Sequence, residues 1–195
     1  MGCFCSHPGV FVGPSECTVR NLSPEETLKL LCDISFIKAI YVNPDPRDPL
    51  ISLEKVDGDN QAACPSLTIV EHHRGSCKLS RTTSEPLPGG GCFKVTTIID
   101  GKQYHEKDDR RRDGIAMTAP EIERRPNYHM IMEAVIRPAL GPGDRDCVIT
   151  ITIRDLQVCC ACVAKGVVAR MMAGHSGYLA EKLNAESERR LRAWM

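Results

Sequence analysis

The sequence predicts an α+β fold: a curved antiparallel sheet, two short helices after its first strand, and one long helix at the C-terminal end. Three observations carry this prediction. Between about Leu50 and Leu156, segments rich in β-branched and apolar residues follow one another without helical periodicity between them, and consecutive strands of that kind favour antiparallel pairing. From Val163 to Trp194 the apolar residues recur every three or four positions, the spacing of an amphipathic helix. Ser23-Pro24-Glu25-Glu26 joins an N-cap serine, a first-turn proline and a glutamate three residues on, which together start a helix.

Each element can be justified in chain order. Residues 1–15 read as a flexible tether, because the first fourteen hold three glycines, two prolines and no Asp, Glu, Lys or Arg. Glu16 to Asn21 alternates Cys17, Val19 and Asn21 against Thr18 and Arg20, the pattern of a short strand. The helix begun at Ser23 presents Leu28, Leu31 and Cys32 on one face, and Asp33 ends it. Ser35 to Tyr41 supplies a second short helix. The following NPDPRDP alternates proline with turn formers and excludes regular structure. Six strand segments follow: ISLEKV, SLTIVEHH, CKLSRTT, CFKVTTIID, YHMIMEAVI and CVITITI. The GGG of Gly89 to Gly91 reads as a turn, and Arg74-Gly75 and Asp100-Gly101 are expected to form tight turns. On the terminal helix Val168, Met172, His175, Leu179 and Leu183 share one face, widened by Val167, Met171 and Tyr178. Gly174 and Gly177 permit a bend or a close approach there.

Composition narrows the function. A chain of 195 residues with 42% hydrophobic and 26% charged residues suits one globular domain. Its 25 basic and 25 acidic residues cancel, leaving no global field to hold nucleic acid, so no nucleic-acid partner is expected. The mixed run Lys107 to Asp113 reads as a solvated loop. No apolar stretch reaches the ~18 residues of a membrane-spanning helix, and no secretory signal is legible. The eleven cysteines are therefore expected to be reduced cytosolic thiols, most of them packed as small apolar residues. Cys159, Cys160 and Cys162 have a spacing that suits a soft metal, but the second ligand pair of a structural zinc site is missing. Packing at a strand-to-helix junction is the expectation for them, with metal binding the alternative. No cofactor is expected.

The opening MGCFCS matches the M-G-x-x-x-[ST] pattern for myristoylation of Gly2, with Ser6 completing it. One myristoyl chain binds a bilayer only marginally, so a second signal is needed. No Lys or Arg lies between Met1 and Arg20, which leaves palmitoylation of Cys3 and Cys5. The expectation is a cytoplasmic protein held peripherally on a membrane by its lipid anchor. The competing reading is an unmodified tail with incidental cysteines.

VRNLSPEETLKLLCDISFIKAIY, from Val19 to Tyr41, resembles the opening of the START-like (SRPBCC, helix-grip) superfamily, which includes START lipid-transfer domains and polyketide cyclases. Ser23-Pro24-Glu25, Leu30-Leu31 and Asp33-Ile34-Ser35-Phe36 carry the resemblance. CVITITIRDL and GVVARMMAGHSGYLAEKLNA are similar to the family's last strand and closing helix. The likeness spans residues 16–192, departing where Ile40-Tyr41 and a proline-rich loop replace the family's frequent tryptophan. It implies a sheet curled around the terminal helix, with a cavity for a lipid, sterol or similar hydrophobic small molecule. Val168, Met171, Met172, His175 and Leu179 would line that cavity, although filling the core is the competing role for the methionines. The family has no universal catalytic residues, so none is assigned, and a non-enzymatic binding module is the first reading. A polyketide cyclase-like enzyme using Tyr104, His105, Tyr128 or His129 is an alternative, and a thiol-rich metal-binding protein is another.

Overall fold

The computed structural model describes residues 12–41, 50–73, 76–103, 117–124, 126, 128–139, 145–158 and 165–193. Seven strands form one sheet: β1 (Val12–Val19), β2 (Leu50–Asp57), β3 (Leu67–His73), β4 (Ser76–Pro86), β5 (Phe93–Gln103), β6 (Tyr128–Pro138) and β7 (Cys147–Val158). Their spatial order is β1-β7-β6-β5-β4-β3-β2, and every neighbouring pair is antiparallel. The helices are α1 (Pro24–Leu31), α2 (Ile34–Tyr41), α3 (Ala119–Arg124) and α4 (Lys165–Ala193).

Local chemistry explains the helix starts. The Ser23 Oγ accepts from the Glu26 amide at 3.2 Å while Glu26 returns a carboxylate to the Ser23 amide at 2.8 Å, closing the expected capping box. α1 ends at Cys32, its C-cap, one residue before the expected Asp33, and Asp33 begins α2, since its Oδ1 accepts from the Ser35 amide at 2.7 Å. The six-residue α3 is a departure from the expected run of pure strands. Thr118 starts it, donating its amide and hydroxyl to the Glu121 carboxylate, both at 2.9 Å. The T-x-x-E spacing and Pro120 in the first turn were its local signals.

A meander from β2 to β7 builds most of the sheet, and β1 adds to the far edge beside β7. Register shifts interrupt the pairing of β1 with β7, of β2 with β3, and of β6 with β7 between Ile131 and Met132. Such bulges increase local twist, and twist lets a wide sheet curl around a helix. The Gly89–Gly91 turn is as expected, with φ of 103°, 76° and 68°. Asp100-Gly101 is not a turn. Both residues lie within β5, opposite His129 and Tyr128 of β6. Arg74-Gly75 lies outside the described residues.

Strand alternation sends Val95, Ile136, Ile149, Ile151 and Ile153 to the concave face, where they join Val19, Leu28, Phe36, Ile40 and Leu183 in the main core. Cys32, Leu53, Leu67 and Ile69 continue that face beneath α2. On the convex face Val70, Cys77 and Leu79 are covered by Met117 and Ile122 of the α3 segment. Among the described residues, no helix is long and apolar enough to cross a membrane.

Candidate functional site

The position of α4 creates the site. The helix is fastened along β1: the Ser176 and Ser15 hydroxyls share a hydrogen bond of 2.6 Å, and the Asn184 Oδ1 accepts from the Arg20 amide at 2.7 Å. The Tyr178 hydroxyl donates to the Ile40 carbonyl at 2.5 Å, tying α4 to α2. Beneath this seat Ile149, Ile151 and Ile153 are between 0% and 2% exposed. The helix therefore seals the β1–β7 side of the concave face.

On the β4–β6 side closure is only partial: Ser80, Val95 and Ile136 are buried there too, but other side chains are not. Thr82, Thr97, Ile99, Met130 and Met132 point to the same concave face and remain half-buried. The Thr82 and Thr97 hydroxyls bond one another at 3.1 Å across two strands. This part of the concave face, the candidate hollow, is apolar with hydroxyl groups among its side chains, a composition that suits a small-molecule site.

One end of the hollow is more polar. Glu71 of β3 stands opposite Lys78 of β4, Lys78 opposite Gly101 of β5, and Gly101 opposite Tyr128 of β6. Glu71 is only 4% exposed. The Tyr128 ring lies directly on Gly101, since a Cβ at position 101 would fall 1.8 Å from the ring. Burial raises the Tyr128 phenol above its ordinary value, and the nearby Glu71 carboxylate adds to that rise. His175 of α4 completes the group. Its side chain is exposed, yet desolvation lowers its pKa, Lys78 lowers it further, and Glu71 partly opposes both.

The expected ligand-binding residues divide accordingly. His175 is exposed on α4, with Glu71 and Lys78 near enough to influence its charge, while Leu179 is half-buried against the main core. Val168, Met171 and Met172 belong to the first turns of α4, whose side chains lie outside the described residues, as do Gly2, Cys3, Cys5, Tyr104 and His105. Tyr128 and His129, offered above as partners in one cavity, point to opposite faces because they are adjacent on a strand. His129 lies on the convex side, where its Nδ1 meets Asp100 Oδ1 at 2.7 Å and Asp100 Oδ2 accepts from Arg81 at 2.9 Å. Arg81 also holds Glu123 of α3, so this cluster clamps the short helix to the sheet.

Glu71, Lys78 and the Gly101–Tyr128 pair were not singled out in the sequence. The available signal was Glu71 itself, at the inward period-2 position after Leu67 and Ile69.

Most of the described cysteines are buried or half-buried, and Cys64 is exposed. Cys32, Cys77 and Cys147 are at most 2% exposed. Burial pushes the Cys32 thiol up to about 12; burial, with Cys147 nearby, pushes Cys17 up to about 11. Such thiols are poor metal ligands. Among the described residues no group of three or more His, Cys, Asp or Glu is placed to hold a metal. Cys159, Cys160 and Cys162 lie outside them.

A seven-stranded antiparallel sheet closed by a long C-terminal helix, with short helices after the first strand, is the helix-grip fold of START-like proteins. The solved structures agree. A START superfamily protein from Mycobacterium smegmatis superimposes with a TM-score of 0.54 at 14% identity, covering 92% of this chain and 97% of its own. A conserved protein from Geobacillus kaustophilus gives 0.51 at 11% identity, covering 91% and 95%. A hypothetical protein from Helicobacter pylori gives 0.50 at 14% identity, covering 91% and 87%. No family model and no curated protein matches the sequence. Likeness at this identity establishes the fold alone.

Proposed function

We propose that this protein binds a hydrophobic small molecule, a lipid, sterol or similar compound, in the hollow between the sheet and α4. Acyl chains on Gly2, Cys3 and Cys5 hold the domain at the cytosolic face of a membrane. The observation that carries the binding reading is the uneven closure of the concave face. Ile149, Ile151 and Ile153 are sealed under α4, whereas Ile99, Met130 and Met132 keep accessible apolar surface on the same face. Apolar surface held inside a fold and left unsealed is stabilised by an apolar occupant, at roughly 25 cal/mol per Å² removed from water. Methionine adapts to varied apolar shapes, and Met171 and Met172 of α4 are proposed to line the same hollow with Val168, His175 and Leu179. A tether would raise the concentration of the domain at the bilayer that supplies such a ligand.

Native mass spectrometry of the full chain purified from eukaryotic cells tests the binding reading. A lipid or sterol at one per protein is expected. Protein without added mass, which also takes up no lipid from added vesicles, would overturn it. The tether has a separate test. Gly2→Ala is expected to move the protein from the membrane to the soluble fraction, because Cys3 and Cys5 take palmitate only once a first chain has brought them to the bilayer. Unchanged membrane association would refute acylation as the anchor.

A further inference from the structure

We propose that Cys77, Met117 and His72, on the convex face at α3, form a binding site for one soft monovalent metal ion, of which copper(I) is the type. The site is independent of the hydrophobic-ligand reading, because it lies on the other side of the sheet. The Cys77 thiol stands 3.6 Å from the Met117 Sδ. One ion about 2.3 Å from each sulfur would subtend the pair at close to the tetrahedral angle. His72 of β3 is directly opposite Cys77 of β4, on the same face, where side-chain bases stand about 5 Å apart. Thiolate, thioether and imidazole are the donors that copper(I) accepts. The start of α3 fixes the thioether in place. Met117 precedes Thr118, whose amide and hydroxyl hold Glu121. The Lys102 Nζ donates to the Glu121 carbonyl at 3.0 Å, and Arg81 holds Glu123.

Burial selects the ion. Cys77 is 0%, His72 5% and Met117 6% exposed, so an ion bound among them leaves water. One thiolate with a monovalent cation makes a neutral unit. A divalent ion on the same three donors would carry a surplus positive charge, which is costly to bury. The thiol proton is directed toward the Met117 thioether and the Lys102 carbonyl, the latter at 3.7 Å. On binding, the Cys77 S–H bond breaks, the proton leaves to solvent and a sulfur–metal bond replaces it, with no change of oxidation state. Only two of the three residues are of the His, Cys, Asp or Glu type, and the third donor is a thioether. Cys147 is equally buried but meets the Thr27 hydroxyl at 3.2 Å, a hard partner that does not suit copper(I).

NMR of the full chain carrying methyl-labelled methionine tests this under anaerobic, reducing conditions. One equivalent of copper(I) is expected to move the Met117 methyl resonance, which is identified by its loss in Met117→Leu. One equivalent of zinc(II) is expected to leave it in place. Competition for copper(I) against bathocuproine disulfonate then gives the affinity. It is measured in a full-chain background of Cys159→Ser, Cys160→Ser and Cys162→Ser, so that those thiols do not compete. Met117→Leu and His72→Gln are each expected to weaken binding by at least about tenfold, and Cys77→Ser by more. Met117→Leu conserves volume, so it decides the question if Cys77→Ser does not fold. A stationary Met117 resonance, or an affinity unchanged in Met117→Leu, overturns the proposal and leaves the two sulfurs as packing alone. An equal response to zinc(II) overturns the assignment to a soft monovalent ion.

Discussion

Truncating Leu183 to alanine is expected to cost about 2–5 kcal/mol of stability, the range for deleting a buried leucine whose surroundings relax only in part. Leu183 is 0% exposed and shares one core cluster with Val19, Ile149, Ile151 and Ile153. The helix cannot easily settle into the space left behind. It is held along β1 by Ser176 on one side of Leu183 and by Asn184 on the other, and to α2 by Tyr178. A cavity should therefore persist, and persistent cavities give the larger losses in this range. Leu191, on the same helix but 43% exposed, provides the control, because Leu191→Ala should stay within about 0.5 kcal/mol. Urea unfolding of both variants checks the contrast. Equal losses would mean that α4 is not seated as described.

Gly101→Ala is expected to destabilise by about 1–3 kcal/mol through overpacking. The sign is informative, because alanine in a strand interior is otherwise better than glycine. Without the tyrosine ring, the substitution should be neutral or mildly stabilising. With it, the new Cβ falls 1.8 Å from one ring atom and 2.0 Å from another, so the ring must leave the floor of the hollow. A double-mutant cycle isolates the effect: in a Tyr128→Ala background, Gly101→Ala should lose most of its penalty. Denaturant unfolding of the four proteins measures it. An additive cycle would show that Tyr128 does not rest on Gly101. The same displacement should weaken ligand binding, since the ring would move into the space that the glycine keeps open.

The correction at Gly101 shows where local reasoning stops. Asp-Gly is a strong turn signal when only the neighbouring residues are considered. Here the glycine answers a residue of the next strand, Tyr128, twenty-seven positions away in the chain. The same limit explains Glu71. Its inward position followed from strand parity, but the Lys78 opposite it depended on the β3–β4 register, which a period-2 pattern does not specify. Tyr128 and His129 are the converse case. Strand alternation alone already placed them on opposite faces once β6 was assigned.

What the sequence alone determined about this protein is what neighbours along the chain control. The capping box at Ser23, the strand segments and the long terminal helix all depend on contacts within a few residues, and the element order they produce already resembled a helix-grip chain. What only the tertiary structure decided is which part of the concave face is closed. That follows from where α4 lies, and α4 is held by pairs such as Ser15 with Ser176, 161 residues apart. Periodicity marks a face as apolar, but it contains no information about which partner covers that face or how much of it stays open. The sealed β7 row and the half-buried Ile99, Met130 and Met132 carry similar side chains, and the seat of one helix decides which of them is closed.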